Sequence, residues 1–223
     1  MTLSTTHRLV VIVSAMTLLC GTRLHAMDLQ KQNVQTQWIE ELSKINHNLT
    51  TIRSLAERGA DVNVPGTVTT GLNVFDKTLL AYVPHTYPVY AIVVAAKRND
   101  WDLLTLLLSK GARPNVKSEW PADNEEMPLH FAVAKGAIQA VQELVKVEAG
   151  IDAVCGDFHW TPLRMAMHHR YNKDGHYVGL QEIDKQIITL LLRAGANTYI
   201  TDISGQSDAS YAQEYDIDLS ALR

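Results

Sequence analysis

The sequence predicts an all-α solenoid of stacked helix-turn-helix units, and three observations carry that expectation. A Pro-Leu helix start recurs with a spacing of 34 residues, at Met127-Pro128-Leu129-His130 and Thr161-Pro162-Leu163-Arg164. Apolar helices that close on glycine recur in the same phase, at Gly59, Gly111 and Gly195. The chain of 223 residues is 46% hydrophobic, with Leu, Val, Ile and Ala dominant, so it has the apolar surface for a packed core. A period in the low thirties is the mark of a repeat architecture and governs the reading of each element.

Ahead of the repeats, His7 and Arg8 precede an uncharged run from Leu9 to Cys20, and a short stretch then ends at Leu24-His25-Ala26. This is the layout of a signal peptide. The run is too short for the ~20 apolar residues that span a bilayer. Residues 1–26 are therefore expected to be removed, leaving a mature chain 27–223 that is periplasmic or secreted. An uncleaved N-terminal membrane anchor is the alternative. Loss of Arg8 and Arg23 from 20 basic residues leaves 18 against 24 acids, net −6, which argues against a nucleic-acid partner. Cys20 lies in the signal, so Cys155 has no internal disulfide partner after processing. Sequence leaves open whether Cys155 is buried and inert or exposed and able to pair with another molecule.

The clearest unit runs from Met127 through Phe131-Ala132-Val133-Ala134-Lys135-Gly136 into a second apolar helix, Ile138 to Val147. Upstream, Tyr90 to Asn99 aligns loosely with its first half, and Leu103 to Asn115 aligns well with its second. The endings Arg58-Gly59-Ala60-Asp61-Val62-Asn63, Lys110-Gly111-Ala112 and Ala194-Gly195-Ala196-Asn197 are near-copies. At these residues the chain resembles the ankyrin-repeat family, whose pattern is T-P-L-H-x-A-A, an apolar helix, then G-A-D-V-N. With its N-terminal signal it looks like the exported bacterial type. The resemblance implies hairpin-like finger loops between stacked helix pairs. It sets units near 38–64, 86–116, 126–154 and 157–198, with a partial C-terminal cap over 199–223 whose short helix falls around Ala209 to Tyr215.

The physics of the repeat agrees. Thr161 is placed to cap a helix whose first position holds Pro162, where the missing N–H is an orphan anyway. Glycine after each second helix suits a left-handed turn. Ser43, Ala95, Ala132, Ala166 and Ala212 share one phase and permit close helix approach; Leu55, Leu107, Leu144 and Leu191 share another and should form a continuous core.

Two insertions interrupt the period, at about 65–85 and 171–183. The first, bounded by Pro65 and Pro88, carries Phe75, Leu79, Leu80, Tyr82 and Tyr87. It reads as a loop that either packs back on the solenoid or meets a partner. The second opens on Asn172-Lys173-Asp174-Gly175, a turn composition, and reads as a solvated loop. Aromatic residues at finger tips suit binding hot spots, because Tyr and Trp bury much surface for little lost entropy. The partner-binding candidates are therefore Trp120, Phe158, His159, Trp160, Phe75, Tyr82 and Tyr87. For Trp160 the competing role is packing over the adjacent finger, and Trp101 at a helix start reads as structural.

No catalytic residue, metal ligand or cofactor is assigned. His130 stands at the repeat's own histidine position, where the resemblance implies local hydrogen bonds. Asp157, His159, His168, His169 and His176 have the chemistry of zinc ligands, but adjacent His168 and His169 point about 100° apart on a helix. No nucleophile elbow or glycine-rich phosphate loop is present. The expected function is a non-catalytic protein-protein interaction module outside the cytoplasm, monomeric when free. It would serve as an inhibitor, immunity or accessory protein for an enzyme or toxin, and the acidic surface would suit a basic partner. A secreted host-directed effector scaffold is the alternative, and a metal-dependent hydrolase a more distant one.

Overall fold

The computed structural model of the chain describes residues 27–44, 47–76, 81–119, 123, 125–168 and 179–222, with 69–76 and 81–85 described as backbone. Residues 1–26, the expected signal, lie outside them. Helix α1 covers 27–42. It is followed by α2 (Leu49–Glu57), the strands β1 (Gly66–Asp76) and β2 (Ala81–Val89), α3 (Ala91–Lys97), α4 (Trp101–Ser109), α5 (Pro128–Ala134), α6 (Ile138–Lys146), α7 (Pro162–His168), α8 (Glu182–Arg193) and α9 (Asp208–Glu214). The helices α3, α5, α7 and α9 pack side by side in one row, and α2, α4, α6 and α8 in a second. The expected helical solenoid is present, with a two-stranded sheet added.

Most of these helices have seven or nine residues, too few to be stable alone in water. Caps define their starts. Asn48 accepts from the Thr50 and Thr51 amides, Asp100 from Leu103, Thr161 from Arg164, and Ser207 from Ser210. Shared burial then holds them. Leu107, Leu144 and Leu191 are fully buried and Leu55 is 2% exposed, so the expected column is continuous through the second row. Ala95, Ala132, Ala166 and Ala212 are buried where first-row helices meet. Ser43 departs from that phase: it lies beyond the end of α1, half-buried, where its Oγ accepts from the Thr67 amide at 3.0 Å.

The first unit also differs from its expected start at 38, since α1 is already helical at 27. Its inner face is fixed by Trp38, which is fully buried and donates from Nε1 to the Val64 carbonyl at 2.9 Å. Successive second-helix ends are joined by side-chain amides and carboxylates. Asn63 accepts from the Arg113 amide at 2.8 Å and donates to the Gly111 carbonyl at 2.9 Å. Asn115 accepts from the Gly150 amide at 2.6 Å, and Asp152 from the Asn197 amide at 2.8 Å. Gly59, Gly111 and Gly195 turn left-handed at φ +90°, +82° and +94°, as their place after each second helix requires.

The first insertion is an antiparallel hairpin where the sequence suggested a loop. Gly66 pairs with Val89 through to Thr69 with Thr86, and Asn73 with Pro84 through to Asp76 with Ala81, with a register shift between Thr69 and Asn73. The β-branched and aromatic residues of both strands favour this pairing, a period-2 signal that the search for a 34-residue period passes over. The base packs back on the solenoid, with Val68 4% and Tyr87 9% exposed. A β-carbon on Gly66 would stand 2.5 Å from the backbone carbon of Leu42, so only glycine allows the approach to the end of α1. The second insertion falls between α7 and α8, and its residues 171–178 lie outside the described part.

His130 is fully buried. Its Nδ1 accepts the Met127 amide at 3.2 Å, which leaves the proton on Nε2 to donate to the Ala153 carbonyl at 3.1 Å. The ring thus ties the start of α5 to the next finger, and burial pushes its pKa down to about 4.

Two outcomes follow from these contacts. Gly66→Ala should lower stability by about 1–3 kcal/mol through overpacking, measured by thermal or urea unfolding, while an alanine at the exposed Lys146 should have little effect. The folded chain refuses a proton at His130 that the unfolded chain accepts below pH 6.5. The stability this contributes is whole above pH 6.5 and is lost as pH falls through about 4, to a limit of about 3 kcal/mol. His130→Gln should be less stable at neutral pH yet lose less on acidification, and an unchanged acid slope would remove His130 as the cause.

Candidate protein interface

The finger between α6 and α7 is a tight hairpin. Cys155 donates to the Trp160 carbonyl at 3.0 Å and receives from the Trp160 amide at 3.1 Å. His159 turns left-handed at φ +54° to close the tip. This geometry leaves Phe158 58% exposed and His159 exposed beside it. Trp160 is half-buried, with its ring between Phe158 (centroids 5.5 Å, 30°) and His168 (4.2 Å, 44°). His168 leads on to Tyr211 at 5.9 Å, and Tyr211 stacks on Tyr215 at 4.4 Å. Five rings thus run from an exposed tip into the C-terminal helix. Trp160 supports that tip, and Phe158 offers it to solvent.

The next finger joins this one, because the Ile203 amide donates to the Phe158 carbonyl at 3.3 Å. It is closed by an antiparallel bridge between Thr201 and Ser207. Ile203 is 59% and Tyr199 78% exposed, so two adjacent fingers carry three large apolar side chains in water. The repeat pattern gives Tyr199 and Ile203 no role, since they fall in the partial cap expected over 199–223. The signal available was two large apolar residues flanking Thr201-Asp202 in a stretch that no helix buries.

Beneath these fingers lies Arg164, which replaces the histidine of the repeat pattern and is 2% exposed. Its Nε donates to Asp208 at 2.8 Å, and its terminal nitrogens reach the Gln206 side chain at 3.0 Å and carbonyl at 2.7 Å. Asp202 stands 3.3 Å away, and the guanidinium carbon lies 4.4 Å from the centre of the Tyr211 ring. Asp208, also 2% exposed, accepts from Thr161 Oγ1 at 2.7 Å. Burial raises the Asp208 pKa against the opposing pull of Arg164 and Thr161. A buried pair of this kind fixes geometry more surely than it adds stability. Here it locks α9 and the last finger onto α7.

The remaining candidates are placed differently. Tyr87 is buried at the hairpin base, so its ring has little surface to offer. Phe75 and Tyr82 are partners in the strand register. Trp120 lies outside the described residues, as do His169 and His176. Asp157 and His159 are exposed, His168 is taken up in the ring ladder, and among the described residues no group of three His, Cys, Asp or Glu is placed to hold a metal. Cys155 is buried, and burial pushes its thiol up to about 12, so it stays protonated and unreactive at neutral pH. No helix among the described residues is long and apolar enough to cross a membrane.

Asp208→Ala should cost about 3–5 kcal/mol, because it strands a buried guanidinium. In the double variant with Arg164→Met the loss should be well below the sum of the singles, read by urea unfolding. Additive losses would show that the two groups do not act as a unit.

Residues 92–202 match the family model for ankyrin repeats, in three copies. No curated protein matches the sequence. Among solved structures, an ankyrin repeat domain from Acinetobacter baumannii AYE is similar, with 23% identity and a TM-score of 0.53 over 78% of this chain and 74% of that one. Residues 92–202 are ankyrin repeats, and the chain has the ankyrin-repeat fold.

Proposed function

We propose that this chain is a non-catalytic protein-binding module that docks its partner through the finger edge led by Phe158, Ile203 and Tyr199. The observation that carries the reading is the exposure of these three side chains on two fingers held together by a backbone hydrogen bond. Apolar side chains grouped in water mark interaction sites more often than chance surface. The ring ladder and the Arg164 pair hold the fingers in place, so little order remains to be imposed on binding. The fold supports the same reading, because ankyrin repeats are generally interaction scaffolds.

The uncharged run from Leu9 to Cys20 and the ending at Ala26 favour action outside the cytoplasm. A small exported binding module suits an inhibitor, immunity or accessory protein that holds an enzyme or toxin, acting as a monomer until it meets its partner.

Affinity capture from native extract should retain one dominant partner on the wild-type chain. Phe158→Ala combined with Ile203→Ala should weaken that capture at least about tenfold with helical circular dichroism unchanged. Equal capture by the variant would move the interface elsewhere, and capture of nothing by the wild type would sink the module. N-terminal sequencing of the exported fraction should begin at Met27; an intact N-terminus confined to the cytoplasm would overturn export.

A further inference from the structure

A second surface lies at the other end of the solenoid. A cavity of about 190 Å³ opens between the end of α1, the hairpin base, α3 and the finger after α4. Its floor is apolar, formed by Val68, Val93 and Val94, which are 4%, 6% and 6% exposed. Its charged lining is Lys44, Lys97, Arg98 and Lys117 against the one carboxylate of Asp123, with His47 beside them. The chain as a whole carries net −4, so the sign of charge is reversed here.

The pairing of these cations shows how the site is built. Lys97 donates to Asp123 at 2.6 Å, and Ser118 donates to the other Asp123 oxygen at 2.6 Å, which fixes the finger wall to α3. Lys44 pairs with Glu41 and Lys117 with Glu125, but neither carboxylate belongs to the lining. Burial lowers the His47 pKa first; Arg98 and Lys97 add to that push, while the Glu41 carbonyl and carboxylate oppose it. Arg98, exposed at the rim, makes no ion pair among the described residues and is open to an incoming anion.

We propose that this cavity receives an acidic side chain, flanked by an apolar residue, from a peptide segment of the protein partner. The size suits a side chain: the cavity is little larger than the 150 Å³ that holds about one benzene. The cationic rim selects a carboxylate through charge-assisted hydrogen bonds, and the valine floor takes the neighbouring apolar group. This rests on the reading of the chain as a protein-binding module but not on the Phe158 edge.

The test uses the full chain and a fluorescein-labelled hexapeptide of alternating glutamate and leucine, with its glutamine-leucine counterpart and free glutarate as competitors. The glutamate peptide should bind at least about tenfold more tightly than the glutamine peptide, and more weakly as salt rises. Arg98→Ala with Lys117→Ala, both exposed positions, should reduce binding at least about tenfold with helical content retained, whereas Lys146→Ala on α6 should leave it unchanged. The bound peptide should also raise the His47 pKa, followed by imidazole resonances in NMR. Equal affinity for both peptides, binding unaffected by the double variant, or displacement by glutarate as effective as by unlabelled peptide would each overturn the proposal. If peptide binding fails while the wild type still captures a native partner, the cavity is refuted and the module stands; if both fail, the module falls with it.

Discussion

The structure depends on apolar helix faces that no unit can bury by itself. Leu55, Leu107, Leu144 and Leu191 each project from a short second helix into the space between that helix and its neighbours. A lone pair of helices with seven and nine residues would leave such a leucine in water. Stacking removes it, and truncation of any one to alanine costs about 2–5 kcal/mol in well-packed cores. Stability is thus a property of contacts between neighbours. The hydrogen bonds from Asn63, Asn115 and Asp152 to the next unit act in the same direction, fixing the register in which leucine meets leucine.

Nearest-neighbour packing also explains where the chain departs from its period. A residue in the column has partners on both sides and tolerates little. A finger contributes no residue to the leucine column, so it lengthens without disturbing the stack. The hairpin over 66–89 shows this: its base is pinned by Gly66 against Leu42 and by the Thr67 amide on Ser43, and β1 and β2 pair with each other beyond it. The separation between α7 and α8 is tolerated for the same reason, since both helices still meet their counterparts in α5, α6 and α9.

What was legible in the sequence follows from the same distinction. The leucine column, the alanine phase, the Thr161 cap and the turning glycines were readable because each is a local requirement repeated at a fixed spacing. His130 was readable because the repeat pattern names it. The hairpin was missed because a period-2 pattern inside an insertion is invisible to a search at 34 residues. Ser43 matched the alanine phase by spacing, yet it stands beyond the helix and serves the hairpin. In the candidate interface Phe158 and Trp160 were singled out together, and sequence had no means of assigning the outward role to one and the supporting role to the other. Tyr199 and Ile203 escaped because their exposure comes from the finger they close. The cationic cavity is assembled from four separate segments, so no window of sequence contains it.

Helix α9 meets α7 in the first row, and the contact between them is polar where the earlier ones are apolar. Here Asp208 stands where the repeat pattern has proline, and Arg164 where it has histidine. The two substitutions fit each other: an arginine alone in that buried position would lack counter-charge, and an aspartate alone would be an unpaired carboxylate. Together they form a charged pair that α9, Gln206 and the Tyr211 ring enclose. The same enclosure sets Tyr211 at the foot of the ladder that rises through His168 and Trp160 to Phe158. The arrangement that joins α9 to α7 therefore also holds the exposed Phe158 in place, which ties this region to the candidate interface.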